Sequence, residues 1–176
     1  HSASLVSESP PPTLAELFAE HAGFVWSLLR RLGVRASDVE DVSQEVFVVV
    51  HRKLPSFEPR ANPRTWIYGI AVRVASDYRR SARVRREETT AVLPEPTVDA
   101  SQEDALAAKR GIAWLDAVLD ELDDDKRTIF VLYEIEQLTM NEIAPIAGCP
   151  LQTAYSRLHE AGEHVQAAAR TRQEAE

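Results

Sequence analysis

Residues 87–100 (EETTAVLPEPTVDA) constrain the fold most, because they break the periodicity that runs through the rest of the chain. The segment holds two prolines and four acids and has no apolar repeat, which is the composition of a linker between domains. On either side the apolar residues recur at three- and four-residue steps. No alternating strand pattern survives, so the expected class is all-α, with two small helical domains.

The periodic segments read as follows. A lead-in, residues 1–12, carries Pro10, Pro11 and Pro12 and is expected to be flexible. Thr13 with Glu16 forms a capping box that opens a first helix, with Leu14, Leu17, Phe18, Phe24, Val25 and Leu28 at helical spacing and an end near Gly33. A second helix starts at Asp38. Its run Val46-Phe47-Val48-Val49-Val50 is β-branched and suggests a strand by itself. The wider set Val39, Val42, Val46, Val49 and Leu54 restores the helical period, and Asp38, Glu40 and Asp41 suit the positive end of a helix dipole. Asn62-Pro63 is a cap and first-turn pair for a third helix reaching about Arg80. That helix has Ile67, Ile70, Ala71, Val74 and Tyr78 on one face and Arg73, Ser76, Asp77 and Arg80 largely opposite.

Beyond the linker, a helix restarts after Ser101, with Asp104 at the capping-box position, and runs to about Leu122. Asp123 to Asp125 cap the next, which contains Ile129, Phe130 and Tyr133. Thr139 with Glu142 is a second capping box, opening a helix with Ile143, Ala144 and Ala147 inward. Gly148-Cys149-Pro150 ends it, and a last short helix buries Leu151, Ala154, Leu158, Ala161 and Val165. Two helices around a glycine turn form a helix-turn-helix, whose second helix would offer Gln152, Thr153, Tyr155, Ser156, Arg157 and His159 to a DNA major groove. A plain helical hairpin without nucleic acid fits the same pattern. Pro145 removes a backbone donor, so its helix is expected to be short or kinked.

Charge is sorted along the chain. Residues 51–86 hold ten Lys/Arg against Glu58 and Asp77, a balance of +8 in a chain of net −8; residues 87–125 alone carry −10. Such a basic block is the electrostatic footprint of a nucleic-acid face, and the adjoining acidic block can mask it until a partner displaces it. No window approaches the ~18 apolar residues that span a bilayer, and no secretory signal is evident at the N-terminus. The single cysteine, Cys149, leaves no internal disulfide framework and fits a reducing compartment. His159-Glu160-Ala161-Gly162-Glu163-His164 sets its histidines five apart, about 140° around a helix, which is the wrong spacing for a zinc motif. No phosphate loop and no nucleophile–base pair is present, so neither enzyme activity nor a cofactor is expected.

Three ordered motifs then coincide with one family. Asp38-Val39-Glu40-Asp41-Val42-Ser43-Gln44-Glu45-Val46-Phe47 resembles the DAEDLxQEVF signature of bacterial extracytoplasmic-function (group IV) sigma factors of the sigma-70 family. Pro63 to Ala71 followed by Asp77-Tyr78-Arg79-Arg80 resembles that family's TWLYRIAxNxxxDxxR helix. Leu122 to Ala161 is similar to its C-terminal helix-turn-helix. The resemblance implies a region 2 domain over residues 13–86, a linker over 87–100 and a region 4 domain over 101–172. It implies that Asp38, Asp41, Gln44 and Glu45 bind polymerase, gripping its β′ clamp helices. Arg60, Asn62, Arg64, Trp66, Tyr68, Arg73, Arg79 and Arg80 would bind the minus-ten element. Among these, Trp66 and Tyr68 could stack on an extruded base, although an aromatic inside a helix more often serves the core. The upstream, minus-thirty-five element would fall to Gln152, Thr153, Tyr155, Ser156, Arg157 and His159. The implied partners are core RNA polymerase (β′ and β subunits), promoter DNA and an anti-sigma factor, in the cytoplasm and without membrane insertion. An alternative is a sigma-like interaction protein that reads no promoter. The family's TVKSRLxRAR reads Thr153 to Gly162 here, with Tyr155, Glu160 and Gly162 at three cationic positions. Arg73 replaces a customary Asn.

Overall fold

Side-chain caps start most of the helices. The computed structural model describes residues 10–88 and 103–176, and every element among them is helical: α1 (Leu14–Arg31), α2 (Val39–Lys53), α3 (Pro63–Glu88), α4 (Glu103–Asp120), α5 (Asp124–Phe130), α6 (Met140–Ala147) and α7 (Leu151–Ala175). The Thr13–Glu16 and Thr139–Glu142 boxes are both closed, each threonine accepting from the glutamate backbone and each glutamate carboxylate accepting in return. Asp123 accepts from the Lys126 backbone N–H at 2.9 Å. Asp104 and the residues before it, where a cap for α4 is expected, fall among or beside those not described.

The helices α1, α2 and α3 pack mutually. Their shared core takes Leu17, Val25, Leu28 and Leu29 from α1, Val42, Val46 and Val50 from α2, and Ile67, Ile70, Ala71 and Val74 from α3. The β-branched run is therefore helical, because period outweighs propensity once three of its neighbours at helical steps are buried. Each fully buried leucine or isoleucine contributes about 1.5–3 kcal/mol by leaving water.

Further along, α5, α6 and α7 pack together as the helix-turn-helix. The chain turns between α6 and α7 at Gly148, whose φ of 68° is left-handed, a conformation that suits glycine. Pro145 lies in an eight-residue helix, as its missing donor requires, and faces solvent. Three expectations are corrected. Instead of stopping near Arg80, α3 continues to Glu88 and carries Arg83, Arg85 and Arg86 on the same rod. The last helix is not short but 25 residues long. Leu151 is exposed rather than buried, because it is the first residue of α7 and precedes the turn that meets α6.

The two halves touch directly: α3 packs against α6. A wide π-type turn, Val131–Ile135, ends the α5 segment and brings Glu136 to α3.

Candidate nucleic-acid interface

On α2, Asp41, Gln44 and Glu45 are exposed on one face and line a shallow groove with Val48, Val49 and Arg52 and with Val74 and Asp77 of α3. Val48 is 56% exposed in the middle of this acidic ridge. An apolar centre with a charged rim suits a protein partner bearing basic side chains. Asp38 stands apart. It is half-buried and accepts the Tyr78 hydroxyl at 2.5 Å, so it ties the start of α2 to α3. Burial, then this bond, pushes the Tyr78 phenol up from its ordinary value.

The loop before α3 builds a mixed surface. Phe57 is buried and its ring lies 4.8 Å from that of Trp66, which is half-buried and so serves the core and the surface together. Arg60 and Asn62 are exposed, and the Asn62 amide oxygen accepts from the Arg64 backbone N–H at 2.9 Å, capping the helix. The Arg64 guanidinium lies 4.6 Å from the centre of the Phe24 ring, and its Nε donates to the Tyr68 hydroxyl at 3.2 Å. This packing holds the cation against rings of α1 and α3 without leaving it free to wander.

Two residues expected to meet DNA sit elsewhere. Tyr68 is only 2% exposed, and its hydroxyl donates to Glu136 of the second half at 2.6 Å. Burial and that bond push its phenol up to about 12. Its ring is core and offers no stacking face here, because its position on α3 points inward with Ile67 and Ala71. Arg79 is 9% exposed and donates to the Leu32 carbonyl, while its Nε lies 3.1 Å from Asp124 as an ion pair rather than an aligned hydrogen bond. Burial pulls its guanidinium down from the usual arginine range, with Asp124 opposing. Arg73 and Arg80, seven residues apart, remain exposed on one face of α3; Arg80 pairs with Asp77.

In α7, Gln152, Tyr155, Ser156 and His159 are exposed, with Tyr155 at 53%, and Thr153 and Arg157 are half-buried. Arg157 lies 3.6 Å from Asp125, and His159 lies 3.3 Å from Glu163. The unexpected anion Glu160 is tied to Lys126 at 2.8 Å. Its charge is thereby balanced within the domain, and Glu160 in turn raises the Lys126 ammonium.

Asp120, Asp124, Arg127, Glu136 and Gly33 are functional candidates that periodicity did not single out. They form the seam between the halves, and their partners lie 41 to 96 residues away in sequence, except for the local Asp120–Arg127 pair. Gly33 is legible in the sequence as a helix end and Asp124 as part of an acidic cap; for their meeting the signal is the excess of acid next to the excess of base.

Two sigma-70 descriptions match the chain, region 2 over residues 17–85 and region 4 over residues 112–165. The ECF RNA polymerase sigma factor SigE of Mycolicibacterium smegmatis is 34% identical over 154 residues, covering 84% of this chain and 58% of its own length. The ECF RNA polymerase sigma-E factor of Haemophilus influenzae is 30% identical over 161 residues, covering 85% of this chain and 84% of its own. In fold, the chain is similar to the sigma factor RpoE of Bartonella quintana, solved in complex with the anti-sigma factor NepR, with a TM-score of 0.70, 19% identity and coverage of 87% and 94%. It is also similar to CnrH, solved in complex with the cytosolic domain of CnrY, with a TM-score of 0.66, 23% identity and coverage of 90% and 88%. With both regions matched in order and a relative 30% identical across 84% of that relative's length, this chain belongs to the extracytoplasmic-function RNA polymerase sigma factors.

Proposed function

We propose that the chain is a promoter-directing initiation factor that acts in the cytoplasm by binding alone, without catalysis of its own. Residues 13–86 dock on core polymerase through the Asp41–Gln44–Glu45 ridge, with Asp38 setting the pose of α2 on α3. The same domain holds the minus-ten strand with Arg60, Asn62, Arg64 and the exposed edge of Trp66, while Arg73 and Arg80 take phosphates. Residues 101–172 present Gln152, Thr153, Tyr155, Ser156, Arg157 and His159 to the upstream element. An anti-sigma factor, by analogy with the complexes of the similar structures, would hold the chain inactive.

The carrying observation is the pair Arg73 and Arg80, exposed on one face of α3 within a block of +8 in a chain of net −8. Each phosphate contact lowers the slope of log affinity against log salt by roughly 0.9 for duplex DNA. Run-off transcription with purified core polymerase, followed by start-site mapping, tests the reading. Arg73→Glu with Arg80→Glu should abolish run-off product while leaving polymerase retention in a pull-down unchanged. Asp41→Ala with Gln44→Ala should lose retention. Absence of open-complex formation on every fragment of a genomic library would refute promoter reading and leave a polymerase-binding scaffold.

A further inference from the structure

The first turns of α7 turn one continuous stripe to solvent. Gln152, Tyr155, Ser156 and His159 are all exposed, and their spacing of three, four and seven residues puts them on a single face of the helix. Ala154 and Ala161 are buried on the other side. From Gln152 to His159 the stripe rises about 10 Å, the length of roughly three stacked base pairs. In the major groove each base has its own reader. Arginine or lysine reads guanine, glutamate or aspartate the cytosine amine, glutamine or asparagine adenine, and an apolar group the thymine methyl. The charged readers of α7 are all engaged inside the domain. Arg157 is half-buried and lies 3.6 Å from Asp125. Glu160 lies 2.8 Å from Lys126, which also reaches Asp123 at 3.4 Å. Glu163 lies 3.3 Å from the His159 ring. Beyond these, the next cation of the helix is Arg170, 18 residues after Gln152, about 27 Å further along the axis. Tyr155 is left 53% exposed, and Leu151, one turn before it, 42%.

We propose that Gln152 and Tyr155 are the specificity-determining residues of the upstream contact, reading adenine–thymine pairs on a helix that carries no guanine reader. The Gln152 amide nitrogen donates to adenine N7, and its amide oxygen accepts from the adenine N6 amine. One turn on, the Tyr155 ring lies against the thymine methyl of a neighbouring pair, and Leu151 widens that apolar surface. Ser156, whose hydroxyl both donates and accepts, fits any pair and adds no preference. The inference deepens the reading of α7 as the helix that meets the upstream element, and rests on it. It has an electrostatic corollary. With Arg157 and Lys126 already paired, the first turns of α7 bring the phosphates no unengaged cation among the described residues. The upstream contact therefore adds little to the salt dependence of binding, which falls to Arg73 and Arg80 of α3.

The test uses holoenzyme assembled from the full chain and core polymerase, on the mapped promoter with about ten base pairs of its upstream element, one turn of the duplex, randomised. Templates retained in open complexes are sequenced, which gives a base profile for each position. Adjacent positions should be enriched in adenine–thymine pairs, and exchanging one of them for guanine–cytosine should lower retention roughly five- to a hundred-fold. Gln152→Ala should flatten one of these positions and leave its neighbour. Tyr155→Lys supplies the missing guanine reader; it should turn the neighbouring position to guanine–cytosine and steepen the salt dependence. A merely structural role for either residue would lower retention on every template and leave the profile as it was. Guanine–cytosine enrichment by the unaltered chain, or a profile that neither variant changes, refutes the assignment while upstream reading by α7 stands. A flat profile with retention intact removes upstream reading and the assignment together, and leaves docking on polymerase and the minus-ten strand. Retention of no template at all sinks the initiation reading and the assignment with it.

Discussion

Gly33 shows how much one missing carbon can decide. Its left-handed φ terminates α1, and its bare face admits the guanidinium of a residue 94 positions later. Gly33→Ala should cost about 1–3 kcal/mol through backbone strain, with a further loss from crowding the Arg127 guanidinium, which must shift by a few tenths of an ångström. Urea denaturation of the single variants and of Gly33→Ala with Arg127→Gln checks this: the effects should fall short of additive, since both act on one contact. The glycine was visible in the sequence as a helix stop, but not as a docking point, because nothing local to it encodes the approach of Arg127. The same holds for Tyr68 and Arg79. Each carries the chemistry expected of a nucleic-acid ligand, and each is drawn inward by a partner distant in sequence.

Elements were far more legible than contacts. The capping boxes at Thr13 and Thr139 and the Asn62 cap all lie within three residues of their partners, so their hydrogen bonds follow from local order alone. The end of α3 was misplaced because its apolar stripe stops near Tyr78, while the helix continues as a solvated, cationic rod whose Arg83 pairs with Asp124 of α5. Among the caps, Asp123 yields a pH-dependent prediction. Its bond from the Lys126 backbone N–H holds its carboxyl below the ordinary value of 3.8. A depressed carboxyl stabilises the fold above its unfolded value, and that contribution is lost as pH falls through the folded one. Asp123→Ala should therefore destabilise the chain by about 1 kcal/mol at neutral pH, and the gap between variant and parent should close as thermal unfolding is followed into the acid range below the carboxylate value.

At the scale of the whole molecule, the charge segregation visible in the sequence becomes a physical seam. The acidic block from residue 87 supplies Asp124, and the basic block supplies Arg79 and Arg83; their pairing was foreseeable in sign and not in geometry. A seam made of buried guanidiniums and helix-end carbonyls couples the unfolding of the two halves. Scanning calorimetry should show one transition for the unaltered chain and two for Asp124→Asn with Glu136→Gln, the second half melting apart from the first. A single unchanged transition in the double variant would mean that the apolar contact of α3 with α6 carries the coupling.

The uninterrupted length of α3 has a mechanical consequence. The rod from Pro63 to Glu88 spans about 39 Å at ~1.5 Å per residue, and no proline or glycine after Gly69 offers a bend. Arg64 at one end and Arg83 at the other therefore move as parts of one stiff lever, with the three-helix core as its fulcrum. Pulling on the far arm tilts the near one. Evolution thus has no independent setting for the two ends of α3: a change that shifts Arg83 at the seam will be felt at Arg64 beside the preceding loop.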